Sequence, residues 1–320
     1  MSAPNIPVVV TRHARVADDI VHIVLESPAG TPLPAFAAGA HIDVELPNGL
    51  VRQYSLLGDP AQTRQYELGV LREAAGRGGS RSAHDDLRAG MRIRIGAPRN
   101  LFALLPARRS LLFAGGIGIT PMLAMAQQLA HGQSDFTLHY CARSRARAAF
   151  LDRLRDAPWA DRVRLHFDDG DARQKLDAAA VLAAPSVDTH LYVCGPTGFM
   201  DHVIGSARAA GWADANIHAE SFAATDGARS GDQAFAVRLA RSGRVVPVAA
   251  GQTVAAALAA HGVEVPLSCE QGICGTCVTR VLAGEPDHRD MYFSDAERAA
   301  NDCFTPCCSR SKLAVLVLDL

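Results

Sequence analysis

The cysteine pattern near the C-terminus, Cys269-x4-Cys274-x2-Cys277 followed by Cys307, constrains the chain more than any other feature. It is the plant-type spacing by which four thiolates hold a 2Fe-2S cluster. Gly272 and Gly275 lie inside the segment SCEQGICGTC, where glycine frees backbone amides to turn toward cluster sulfides. The competing readings are zinc and buried structural cysteines. Zinc favours paired C-x2-C knuckles, which an x4-x2 triplet with a distant fourth cysteine does not resemble. The chain therefore reads first as an electron carrier.

A length of 320 residues exceeds one ordinary hydrophobic core and predicts two or three domains. The formal net charge of −1 comes from interspersed acids and bases, so no basic stripe points to nucleic acid. Eight cysteines would suggest disulfides in a small secreted chain, but MSAPNIPVVVTRHARV lacks a basic start, long apolar run and cleavage site. Reduced cysteines and a cytoplasmic location are expected. The longest apolar stretch, Leu111 to Ala126, is broken by glycines and a proline and is too short for a membrane span.

From Val8 to Leu71, short alternating runs such as Ile42-Asp43-Val44-Glu45-Leu46 are separated by turns such as Pro47-Asn48-Gly49. This predicts an antiparallel β-barrel over residues 1–105. After Pro106 apolar strands alternate with helical stretches: Leu111 to Ala114, Phe136 to Cys141, Val163 to Phe167 and Leu191 to Cys194. That alternation predicts an α/β parallel-sheet domain over 106–223. A polar, glycine-containing linker follows at 224–233. The last domain, 234–320, runs from alternating Phe235 to Leu239 through an alanine-rich helix at Thr253 to His261 and ends in the strand Leu313 to Leu318.

Arg52-Gln53-Tyr54-Ser55-Leu56 offers a cation, an aromatic face and a hydroxyl, the groups a flavin needs. Downstream, Gly76 to Ser82 reads as a glycine-rich turn opening a helix, an anion cradle. Gly115, Gly116 and Gly118 then lead through Thr120 and Pro121 into a helix starting near Met122, with proline at its first position. Their backbone would approach a pyrophosphate at the helix start. Cys194-Gly195-Pro196-Thr197-Gly198 forms a second turn at a strand end, where open parallel sheets bind ligands. Beyond Cys141 the chain reads Arg143-Ser144-Arg145-Ala146-Arg147, with no acid for an adenosine ribose. Those residues alone permit NADPH, or are a solvated basic loop.

In order, RQYSL, GRGGSRS, AGGIGITPM, YVCGPTGFM, HAESF and SCEQGICGTC resemble the phthalate dioxygenase reductase and vanillate O-demethylase reductase family over essentially the whole chain. The resemblance implies an FMN barrel, an NAD domain and a C-terminal β-grasp ferredoxin domain that carry electrons from NADH to a separate Rieske oxygenase. It implies that Arg52, Ser80, Gly79 and Ser82 hold the FMN phosphate, Tyr54 packs on the ring, and Ser55 lies near N5. Val70 and Leu71 would line the ring with backbone, and Phe222 would pack against it. Cys194 would lie beside the nicotinamide as a positioning residue, since hydride transfer needs no nucleophile. Cys307, rather than Cys303 or Cys308, aligns with the family's fourth cluster ligand. A monomer that docks transiently through the ferredoxin domain is expected, with aromatic O-demethylation as the pathway. The other readings are a reductase for a non-Rieske monooxygenase or a diffusible ferredoxin, and a cluster-based redox sensor.

Overall fold

The structure, a computed structural model, describes residues 5–74, 76, 78–222, 231–267, 272, 275–290 and 292–320. Cys269, Cys274 and most of the 224–233 linker thus lie outside the described residues. The chain forms two compact units, Ser2–Phe222 and Ala223–Leu320.

The larger unit begins with an antiparallel sheet of β1 (Ile6–Ala17), β2 (Ile20–Glu26), β3 (Ala40–Glu45), β4 (Val51–Ser55), β5 (Gln65–Leu71), β6 (Arg92–Ile95) and β7 (Arg99–Asn100), with helix α1 (Gly79–Asp85) between β5 and β6. The path β4-β3-β6-β1-β2-β5 carries β7 on β3, and a bridge between Leu56 and Leu68 joins its two ends. This closes the barrel and leaves those ends no free edge. Alternation along β3 sends Ala40, Ile42 and Val44 into the core, as the period of a strand requires. The barrel continues through β6 and β7, well past the Val8 to Leu71 stretch that predicted it.

A parallel sheet follows: β8 (Arg109–Gly115), β9 (Asp135–Ala142), β10 (Val163–Phe167), β11 (Thr189–Cys194) and β12 (Ile217–Glu220), in the order β10-β9-β8-β11-β12. Helices α2 (Ile119–His131), α3 (Leu151–Arg155), α4 (Ala178–Leu182) and α5 (Thr197–Ala209) accompany it. Leu111, Phe113, Leu191 and Val193 pack with α4 and α5 on one face. On the other, Leu112, Ala114, Leu138 and Tyr140 join α2 and the barrel residues Ile20, Leu57 and Phe102 in one apolar cluster. Barrel and sheet are therefore welded by a shared core. Helix α2 starts at Ile119 after a single 3-10 turn at Gly116–Gly118, so Pro121 is its third residue and not its first. Proline is tolerated there because first-turn amides have no acceptor within the helix.

The smaller unit contains β13 (Phe235–Leu239), β14 (Val245–Val248), helix α6 (Val254–Ala260), β15 (Thr279–Ala283), β16 (Pro286–Asp287), helix α7 (Asp295–Ala300), β17 (Cys303–Phe304), β18 (Arg310–Ser311) and β19 (Val315–Leu318). Its main sheet runs β14-β13-β19-β15-β17, with β13 parallel to β19, and β16 pairs with β18 apart from it. Thr253 caps α6 by accepting the Ala256 amide at 3.1 Å. Val254, Ala257 and Leu258 of that helix pack on Val237, Val246, Leu316 and Leu318 of the sheet. This helix-on-sheet layer is the predicted β-grasp arrangement. No helix among the described residues is long and apolar enough to cross a membrane.

Candidate functional site

In the sheet order, β8 and β11 are neighbours although β9 and β10 lie between them in sequence. Chain direction across the sheet therefore switches at this pair, and a crevice opens beyond its carboxyl ends. The two glycine turns meet there, since Ala114 pairs with Cys194. They touch so closely that a Cβ on Gly118 would fall 2.1 Å from the Cys194 carbonyl oxygen. Only glycine allows that approach. Thr120 donates its hydroxyl to the Ile117 carbonyl at 3.1 Å and so caps this turn from within. Pro196 precedes α5 and lies against Gly115, where a Cβ would stand 3.0 Å from its ring.

The barrel reaches this crevice through β4 and β5. A Cβ on Gly69 of β5 would meet the Thr120 methyl at 2.8 Å, placing the strand that carries Val70 and Leu71 against the first glycine turn. His84 donates to the Val70 carbonyl at 2.9 Å and orients that strand end toward α1. At the end of β4, Ser55 donates to Glu220 Oε2 at 3.4 Å, a long contact that joins residues 165 positions apart. Glu220 ends β12 in register with Cys194. Burial pushes the Glu220 carboxyl up to about 8, against the opposing hydrogen bond from Ser55. Burial, and then the neighbouring Glu220, push the Cys194 thiol well up, so Cys194 is a thiol and not an activated nucleophile. Ser55, Cys194 and Glu220 form one buried constellation where the two domains meet. Glu220 was not singled out from the sequence. Its burial at the end of the short strand Ile217–Glu220 is visible only in the fold.

The anion cradle forms from two separate segments. The Arg52 side chain crosses Gly79, whose absent Cβ would lie 2.6 Å from Arg52 Cγ. Ser80 accepts the Glu73 amide at 3.0 Å, which leaves its own proton for a ligand. Ser82 is buried in α1 and its hydroxyl has no partner among the described residues. A phosphate at the start of α1 suits these donors, and the residues fit FMN there. Tyr54 is half-buried against the barrel core, and burial raises its phenol far above the ordinary range, keeping it neutral. Phe222 is half-buried and packs on the cluster shared by barrel and sheet.

The stretch after β9 lies beside the end of β10. Asp168 and Asp169 follow β10, and their amides bond the carbonyls of Ala142 at 3.1 Å and Arg143 at 3.2 Å. The two exposed aspartates thus follow β10 alongside the backbone that leaves β9 at Arg143.

In the smaller unit, Cys277, Cys307 and Cys308 pack together, all buried. Gly272 lies against them, since a Cβ on it would stand 2.4 Å from Cys308 Sγ. Gly272 and Gly275 have φ of 72° and 68°, the left-handed conformation their place in the loop requires. Two proposed ligands are thereby adjacent, and the residues fit a 2Fe-2S cluster.

Residues 237–312 match the family described as 2Fe-2S iron-sulfur cluster binding domain. Residues 97–217 match the N-terminal domain of dimethylamine monooxygenase subunit DmmA-like proteins. The vanillate O-demethylase oxidoreductase of Pseudomonas sp. (strain HR199 / DSM 7063) is 56% identical over 316 residues, covering 98% of this chain and 100% of the relative. Among solved structures, phthalate dioxygenase reductase, described as a modular structure for electron transfer from pyridine nucleotides to [2Fe-2S], superposes with a TM-score of 0.77 at 40% identity, covering 98% of this chain and 97% of that one. An intact type IV self-sufficient cytochrome P450 monooxygenase superposes at 0.81 with 41% identity, covering 98% of this chain but 41% of that one. Identity of this degree across the whole length, joined to the same three-part architecture, makes this chain a member of the phthalate dioxygenase reductase and vanillate O-demethylase reductase family, oxidoreductases that use FMN, NADH and a 2Fe-2S cluster.

Proposed function

We propose that this protein is the reductase component of a two-component Rieske oxygenase system, passing electrons from NADH through FMN and its 2Fe-2S cluster to a separate terminal oxygenase, with aromatic O-demethylation as its pathway. The observation that carries the flavin and nicotinamide part is the contact between Ser55 and Glu220 beside Cys194. It puts the end of the flavin strand at the crevice where the nicotinamide turns meet.

Bound FMN converts a two-electron hydride donor into a source of single electrons. The chain's residues do the rest. Arg52, Ser80 and Ser82 hold the phosphate, Tyr54 and Phe222 bound the ring, and Gly115, Gly116, Gly118, Gly195 and Pro196 leave the pyrophosphate and nicotinamide room to approach. Buried, neutral Cys194 excludes water from the nicotinamide side. Ser55 Oγ and the largely protonated Glu220 carboxyl would lie beside bound FMN, where the pair could exchange a proton near neutral pH. Asp168 and Asp169 favour a free ribose hydroxyl over a 2′-phosphate, which supports NADH. Cys269, Cys274, Cys277 and Cys307 ligate the cluster in the 234–320 domain. Exposed Tyr292 covers Gly275, and with exposed Val278 it offers an apolar rim for a brief encounter with the oxygenase.

Anaerobic titration of the purified protein with NADH, followed by visible spectra and EPR, tests the relay. Bleaching of flavin and cluster bands with a reduced 2Fe-2S signal is expected. A loaded flavin and cluster that stay oxidised would refute it. The likeness to the P450 fusion favours a second reading, a haem monooxygenase as acceptor. Reduction of a Rieske oxygenase, but not of a P450, by the NADH-reduced protein separates the two.

A further inference from the structure

Two arginines lie buried in the smaller unit, Arg289 with 5% and Arg310 with 2% of its side chain exposed. Burying a guanidinium is costly unless a counter-charge is buried with it. Asp232 supplies one, from the polar 224–233 stretch that reads as a linker in the sequence but whose end the fold makes part of this unit. Arg289 clasps it with both ends of its fork, Nη1 donating to Oδ2 at 3.0 Å and Nη2 to Oδ1 at 2.6 Å. Arg310 Nε stands 3.6 Å from Asp232 Oδ2, and Arg310 Nη2 donates to the carbonyls of Gln233 at 2.9 Å and Ala249 at 3.2 Å. A second carboxylate, Asp287, accepts from Arg289 Nε at 2.7 Å, but its side chain is 26% exposed and water screens its charge. Both arginines frame the packed cysteines. Asp287 pairs with Arg310 across β16 and β18, and Arg310 follows Cys307, Cys308 and Ser309 in the chain. The Arg289 amide donates to Ser309 Oγ at 3.0 Å, and Asp290 Oδ1 accepts the Ser309 hydroxyl at 3.2 Å. Asp290 in turn abuts the cluster loop, since a Cβ on Gly272 would stand 2.8 Å from its Cα.

We propose that Asp232 is a positioning residue that sets the reduction potential of the 2Fe-2S cluster, by holding Arg289 and Arg310 beside the Cys307 segment and neutralising their charge. This rests on the reading that Cys307 is a cluster ligand. An electron entering the cluster adds negative charge, which a nearby cation favours and a nearby anion opposes, most strongly where water is excluded. With Asp232 in place, the two guanidinium groups face Asp232 and Asp287. Without it one buried positive charge is left over and the reduced cluster is favoured. Removing Arg310 instead tips the balance the other way.

Redox titration of full-length Asp232→Asn, Asp232→Glu, Arg310→Gln and the Asp232→Asn/Arg310→Gln double variant, with midpoints read from visible bands and EPR and with iron and sulfide assayed, tests this. At a fixed potential the reduced-to-oxidised ratio of the cluster should rise about tenfold in Asp232→Asn, a midpoint raised by about 59 mV for one electron. It should fall by a similar factor in Arg310→Gln, and return close to the wild-type value in Asp232→Glu and in the double variant. Loosened packing alone would move both single variants the same way and add in the double one. That pattern, or an unchanged midpoint in Asp232→Asn holding full iron, overturns the proposal. If Asp232→Asn loses its cluster, Arg310→Gln and the double variant decide: a midpoint lowered in the first and restored in the second upholds the proposal, and any other result overturns it. Unaltered iron content and EPR in Cys307→Ala would overturn the ligand reading, and the proposal with it.

Discussion

The proton on Glu220 is set by exclusion of water. The residue is 8% exposed, and burial pushes its carboxyl to about 8, so it is mostly protonated at neutral pH. A raised folded-state pKa has one sign in the stability balance. Below about pH 4.5 the group is protonated folded and unfolded alike, and between there and about pH 8 the unfolded chain ionises while the native chain does not. The native state therefore loses stability as pH rises through that window. Glu220→Gln, which cannot ionise, should match wild type near pH 4.5 and become the more stable protein toward pH 8 and above, by on the order of a few kcal/mol. Thermal unfolding across that range checks the crossover. Turnover to the acceptor should fall by on the order of a hundredfold, because the amide cannot exchange a proton through Ser55.

Among the elements, the register of β10 on β9 bears on the coenzyme preference proposed above. Strand β10 pairs in parallel with β9 so that Phe167 stands beside Ala142. The residues just past each strand, Asp168 with Asp169 and Arg143 with Ser144, are thereby gathered at one point. A carboxylate there accepts a ribose hydroxyl and repels a phosphate. Asp168→Ser combined with Asp169→Ser should raise kcat/KM for NADPH relative to NADH by about tenfold or more, because like-charge repulsion is removed while Arg143 remains. Steady-state kinetics with both coenzymes reads this, and an unchanged ratio would return Arg143 and Ser144 to the status of a solvated loop.

At the scale of the larger unit, a buried ion network reinforces the apolar joint between barrel and sheet. Glu67 of β5 accepts from His22 of β2 at 2.8 Å and from Arg153 of α3 at 2.9 Å. Burial works to raise the Glu67 carboxyl, but the His22 hydrogen bond and the Arg153 charge outweigh it and hold it below its ordinary range. Its contribution is present above about pH 4.5 and is lost as pH falls through the folded-state value. Arg153 is 29% exposed, so Arg153→Met should destabilise the unit by about 1–3 kcal/mol at pH 7 rather than the larger cost of a fully buried pair. Thermal unfolding at pH 7 and pH 4 should show that deficit shrinking in acid.

Much of this protein was legible in its linear order. Strands alternate or run apolar, glycines mark the turns, and cysteines keep ligand spacing, because each signal is local and survives without knowing what lies across the chain. The barrel, the parallel sheet, the helix after Thr253 and both glycine turns were visible for that reason, while the first residue of α2 depended on packing. What tertiary structure alone decided are the meetings at a distance. Ser55 finds Glu220 across 165 positions, Asp168 and Asp169 come to lie along the chain leaving β9, and Asp290 accepts the Ser309 hydroxyl. Charge, proton and hydrogen-bond direction at those places follow from which groups share a space closed to water, and that is settled only when distant segments fold against one another.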